Sequence, residues 1–271
     1  MNASLVSRAA ALVTLAAGCM IGGCASHRPP TLNPQLAPPD PHLAQANALH
    51  DAAADNVQLG MAYMQAGNLQ RARDKLDRAL KQDPANPNAH SVYGLFYERV
   101  GDQKKADEEF HTAMRMTADD PAQVNIYAGY LCRQGRVDEG VTKFVQVAKN
   151  ALYRTPEVAY TNMGVCLRGA HRDDEAGTAF RRALLVKPDD PEAVFQMGDL
   201  DLAHGRALEA RQRLDRFLAG HAGTPDLLLL GVRASRTLGD ADAAAQYGKI
   251  LRTDFPSSEQ AQALSSAGNP G

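Results

Sequence analysis

Apolar and small residues recur along this chain in blocks separated by polar turns, and the blocks are copies of one another. Gly60, Gly94, Gly164, Gly198 and Gly231 each stand inside an apolar stretch, followed by a run of the form Ala-x-x-x-aromatic/Leu-x-x-Ala. Spacings of four and three put those side chains on one face of a helix, whereas a half-buried strand would alternate. The blocks return about every 34 residues, the period of stacked helix–turn–helix units. Such a stack offers a long concave surface and seldom carries a catalytic centre, so the pattern predicts a binding protein.

With the glycine as position 8 of each unit, six units can be laid end to end. The first starts at Ala53 and carries Leu59, Gly60, Tyr63, Gly67, Ala72, Leu76, Ala79 and Pro84. The second, from Pro87, repeats the offsets with Gly94, Tyr97, Gly101, Ala106, Phe110 and Ala113. The third, from Pro121, has Ala128 in place of the glycine, then Leu131, Gly135, Gly140 and Phe144. The fourth starts at Glu157 (Gly164, Ala176, Phe180, Ala183), the fifth at Pro191 (Gly198, Gly205, Ala210, Leu214) and the sixth at Thr224 (Gly231, Tyr247, Ile250). The third interval is 36 residues long, which puts about two extra residues around positions 149–155. Small residues at position 8 and in the second helix let paired helices approach closely, and Pro84 and Pro188 stop second helices. This arrangement resembles the tetratricopeptide repeat. It implies an all-α solenoid of six helix–turn–helix repeats in a right-handed superhelix, over residues 53–257. Residues 258–271 read as a Ser-capped terminal helix followed by a disordered tail.

The first 23 residues break the pattern. They hold one charge, Arg8, ahead of the apolar run at residues 9–17, the layout of a secretory signal. The run is too short to span a membrane convincingly. It ends in Ile21-Gly22-Gly23-Cys24-Ala25-Ser26, which resembles a bacterial lipobox with Cys24 as the lipidated residue; Cys19 is a second candidate. Pro29, Pro30, Pro34, Pro38, Pro39 and Pro41 follow, so residues 24–52 read as a lipidated cysteine and a semi-rigid linker. Ala25 after the cysteine resembles the outer-membrane sorting pattern of lipoproteins. The expected location is the periplasmic face of the outer membrane of a Gram-negative bacterium, held by a palmitate-type anchor.

Composition narrows the partners. Hydrophobic residues make up 44%, enough for a core, and the absence of tryptophan with only 6% aromatics suits packing of small-residue helices. A formal charge of −2 lacks the basic excess of a nucleic-acid protein, so none is expected as a partner. No metalloprotease, hydrolase or nucleotide-binding motif is present. The acidic pairs Asp119-Asp120 and Asp189-Asp190 and the Asp173-Asp174-Glu175 run fall at helix starts, where they complement the dipole. No catalytic residue, metal or cofactor is expected.

Positions 5, 9 and 12 of each first helix line the inner groove of such arrays. In the first unit these are Val57, Met61 and Met64, with Leu95 from position 9 of the second. The reading is an apolar, adaptable groove for an amphipathic segment of a partner. The alternative is that residues 43–52 cover the patch and make it core. Cys132 and Cys166 stand at positions 12 and 10 of successive first helices. A disulfide between them is expected in an oxidising compartment, and two buried thiols are the alternative.

Two segments carry a closer resemblance. Asn125-Ile126-Tyr127-Ala128-Gly129-Tyr130-Leu131-Cys132-Arg133-Gln134-Gly135 and Asn162-Met163-Gly164-Val165-Cys166-Leu167 are similar to the corresponding segments of the PilF/PilW family of type IV pilus biogenesis lipoproteins, as are Phe180-Arg181-Arg182-Ala183-Leu184, Leu238-Gly239-Asp240 and Phe255-Pro256-Ser257-Ser258. The chain departs from that family at Ala128, Tyr130 and Gly140 and in a more polar junction at 150–154. The resemblance implies a non-catalytic pilotin: a lipoprotein that helps the pilus secretin reach the outer membrane and multimerise, with the secretin subunit as partner. A generic periplasmic scaffold tethering envelope enzymes is the other reading. The oligomeric state is left open.

Overall fold

The structure, a computed structural model, describes residues 41–266, with side chains at 45–265. The signal segment, Cys19, Cys24, the prolines before residue 41 and residues 267–271 lie outside the described residues. Thirteen α-helices run through the described part. Twelve form six antiparallel pairs: α1 (Pro41–Gln65) with α2 (Leu69–Gln82), α3 (Pro87–Arg99) with α4 (Gln103–Met116), and α5 (Pro121–Arg133) with α6 (Val137–Ala148). They continue with α7 (Pro156–Gly169) and α8 (Asp173–Val186), α9 (Pro191–Ala203) and α10 (Ala207–Leu218), and α11 (Pro225–Thr237) and α12 (Ala241–Asp254). A last helix, α13 (Glu259–Ser266), closes the array.

Local chemistry sets these boundaries. Five of the first helices open on a proline at N1, where the missing N–H costs nothing. Asn86, Asp120, Asp190 and Thr224 precede four of them and accept a backbone N–H of the first turn through their side chains. Each first helix ends in the same way. The N–H of the residue two past the turn reaches back five residues, from Asn68 to Tyr63, Asp102 to Tyr97, Arg136 to Leu131, Arg172 to Leu167, Arg206 to Asp201 and Asp240 to Ser235, at 2.8–2.9 Å. This is the Schellman bond, and it needs a left-handed residue just before it. Glycine holds that place in five turns and His171, at φ 57°, in the fourth.

First helices pack on the next first helix, and each second helix packs on the following first helix. The core runs between the two layers. An α-carbon without a side chain receives a large one: a methyl group on Gly94 would stand 2.7 Å from the Phe110 ring, and one on Gly164 2.3 Å from Phe180. Position 7 of each following unit seals the interface to the one before, with the Tyr93 hydroxyl on Asp77 and that of Tyr127 on Asp107 at 3.2 Å. At the far end Ala261 and Leu264 of α13 cover Leu228, Val232 and Leu251.

The linker assignment is corrected at its C-terminal end. Residues 41–52 are the first three turns of α1, because Pro41 is the last proline before Gln65 and the Ala-rich stretch after it favours helix. The two extra residues before the fourth unit form a turn in which Tyr153 bonds back to the Asn150 carbonyl at 3.0 Å. Tyr153 packs inward there, and Leu152 is 86% exposed.

Candidate protein-binding surface

The four residues read as an apolar groove do not share one surface. Val57 (6% exposed) and Met64 (8%) belong to the core cluster with Ala72, Leu76, Val92 and Phe96, and are not open to a partner. Leu95 is half-buried and packs against the clusters on both sides of it. Met61 alone is open, at 40%. Residues 43–52 do not fold back over this patch, since they continue α1. The cover comes from α2 and from Val92 and Phe96 of α3, side chains large enough to reach the inner face of α1.

Further along, the inner row of first helices carries a tie at each interface. Arg133 on α5 donates two hydrogen bonds, both 2.8 Å, to the Glu98 carboxylate on α3. Cys132 on α5 is disulfide-bonded to Cys166 on α7, with their Cα atoms 5.5 Å apart. Arg168 on α7 and Arg233 on α11 each donate at 2.6 Å to opposite oxygens of Asp199 on α9. Burial pushes the Asp199 carboxyl up, and the hydrogen bonds and charges of its two arginines outweigh that and hold it below the usual carboxylate range. The inner face is thereby a stiff, cross-linked wall.

One groove interrupts the wall. Between α5 and α7 lies a cleft of about 610 Å³, floored by Cys132 and Cys166 and lined by Gly129, Asn162, Val165 and Gly169. Its openness comes from the two glycines. A methyl group on Gly169 would meet nothing within 4 Å, and one on Gly129 only the Arg133 guanidinium at 3.3 Å. Neither is needed for packing, although glycine in a helix costs about 1 kcal/mol against alanine. They leave helix backbone bare beside the exposed Val165, where a partner chain can come close. Sequence reading missed this site because its glycines are off the repeat. A glycine at an A-helix position that the repeat does not demand was the available signal.

A methyl group on Gly140 would stand 2.4 Å from the Cys132 sulfur and 2.9 Å from the Ala128 carbonyl oxygen, so glycine lets α6 lie close against the disulfide. Among the described residues no cluster of three or more His, Cys, Asp or Glu is arranged to hold a metal ion. No helix among them is long and apolar enough to cross a membrane.

The model of the tetratricopeptide repeat matches residues 57–121 and 195–259. The fold is that of a tetratricopeptide-repeat solenoid. The type IV pilus assembly protein PilF of Pseudomonas aeruginosa is 29% identical to it over 206 residues, 76% of this chain and 82% of PilF. A solved structure of that PilF covers 81% of the repeat chain and 99% of its own length at 28% identity, with a TM-score of 0.56. The crystal structure of PilW, described as a widely conserved type IV pilus biogenesis factor, matches 78% of the chain and 97% of PilW at 28% identity and a TM-score of 0.59. The likeness to the PilF/PilW proteins is thus found in sequence and in fold, across nearly the whole of each relative.

Proposed function

We propose that this tetratricopeptide-repeat solenoid is a non-catalytic pilotin of type IV pilus assembly, which carries the secretin subunit to the outer membrane and holds it until the ring forms. The observation that carries the reading is the end-to-end likeness to PilF and PilW, which covers 82% and more of each relative. The N-terminal sequence supports it: an apolar signal, a lipobox ending at Cys24 and a proline-rich spacer suit a lipid-anchored carrier facing the periplasm. On this reading the lipid commits the complex to lipoprotein transport, and the concave side of the array binds the partner.

Deleting the gene tests this directly. SDS-resistant secretin rings and twitching motility should be lost, and normal rings in the deletion strain would overturn the pilotin role. Two exposed positions then locate the contact. Val165→Glu should abolish secretin capture by the helical, full-length protein if the cleft between α5 and α7 is the docking site. Loss in Met61→Glu alone would assign the contact to the first unit instead.

A further inference from the structure

The two-residue insertion between the third and fourth units has a counterpart at the end of α8. α7 and α8 are antiparallel, so the C-terminal end of α8 lies beside the start of α7; the Arg182 guanidinium sits 5.9 Å from the centre of the Tyr160 ring. Here lie the two most exposed large apolar side chains among the described residues, Leu152 in the insertion (86%) and Leu185 at the end of α8 (83%), with Val186 open beside the latter. Neither leucine has a packing role in the array.

Charges of both signs surround them, and three of the cations stand without a carboxylate partner among the described residues. Lys149 and Arg154 flank Leu152, are exposed, and form no ion pair among the described residues. Arg182, three residues before Leu185, contacts the Tyr160 ring and no carboxylate. The neighbouring acids are occupied: Asp120 and Asp190 cap α5 and α9, Asp190 also faces Lys187 at 3.6 Å, and Asp189 faces His221 at 3.2 Å. Glu157 is buried in the first turn of α7, and Asp119 is the one nearby acid left open.

We propose that this edge of the array is a membrane-contacting surface, with Leu152, Leu185 and Val186 entering the headgroup region of an anionic bilayer and Lys149, Arg154 and Arg182 engaging lipid phosphates. Leucines that protrude singly from a turn and a helix end need no shaped complement in lipid, whereas a protein partner would have to supply a pocket for each. Long basic side chains beside them can keep their charges in the headgroups while their stems follow the apolar tips. The inference goes beyond the pilotin reading, because it concerns how the array lies on the membrane and not what it binds.

The chain has no tryptophan, so a single one reports its own surroundings. Full-length protein carrying Leu152→Trp, Leu185→Trp or, as a control at the exposed α10 position, Leu208→Trp is mixed with vesicles of phosphatidylethanolamine and phosphatidylglycerol. Emission at 152 and 185 should shift to the blue and be quenched by bromolipid, while that at 208 stays unchanged. Because the readout is local, an N-terminal anchor cannot produce it. Lys149→Gln with Arg154→Gln should weaken the association of the edge roughly 25-fold, at about fivefold per cation. Unshifted emission at 152 and 185 on vesicle-bound protein would overturn the proposal. So would an equal shift on pure phosphatidylcholine, or a shift produced by polyglutamate and not by vesicles.

Discussion

Gly164 has no room for a methyl group. The ring of Phe180, itself fully buried, fills the space at 2.3 Å, so Gly164→Ala has to displace a core side chain. Overpacking of this kind costs about 1–3 kcal/mol, more than the gain of up to about 1 kcal/mol in helix propensity. A lower urea midpoint with an unchanged slope is the expected result. His171 gives the opposite case, since it holds a left-handed turn at φ 57° that glycine fills in the other five units. His171→Gly should raise stability by about 0.5–1 kcal/mol, read from the same denaturation curves. A third residue carries a pH dependence. His90 donates to Glu109 at 2.6 Å, a bond that raises its pKa against the opposing effect of burial. A raised folded pKa gives stability that is full below the unfolded value near 6.5 and lost as pH rises through the folded one. The stability gap between wild type and His90→Gln should therefore be wider at about pH 5.5 than at about pH 8.5.

At the scale of the element, the units that follow the repeat were readable and the exceptions were not. The glycine of position 8 and the turn glycines each answer to a local demand, close approach or a positive φ, and such demands appear in the sequence as fixed residues at fixed offsets. The inner groove depends on which neighbour reaches over which helix. Val57, Met61 and Met64 look alike on the α1 face, and only the size of Val92 and Phe96 one unit later decides that two of them are interior. The cysteine pair could be named from its places on successive first helices, whereas the cleft above it depends on Gly129 and Gly169, which are absent from the repeat pattern. The fifth unit shows the same limit. Asp201 stands where the third and fourth units have a leucine, and it is buried because Arg206 and Arg213 donate to it at 3.0 and 3.1 Å from the turn and from α10. Asp201→Ala would leave Arg213 facing the interior unpaired and should cost about 3 kcal/mol. Thermal unfolding of that variant, with helicity retained before the transition, measures it.

For the whole molecule, the first-order consequence of the architecture is that stability adds up from neighbour to neighbour. α13 seals the C-terminal end of that series, and the Arg133–Glu98 and Arg168–Asp199–Arg233 ties stiffen its inner side. The Cys132–Cys166 bond differs from all of these because it cannot be exchanged for water. Under a pulling force the hydrogen bonds and apolar contacts of each unit give way in turn, but the loop closed by the two cysteines, a sequence separation of 34, cannot be paid out. At about 3.3 Å per residue, roughly 110 Å of chain is withheld from extension. Stretched between its ends, the oxidised protein should stop short of the reduced one by that length, and equal contour lengths would show that the bond does not bear tension. A protein held at one end and loaded at the other would then have a fixed maximum reach, set by one covalent rung between its third and fourth units.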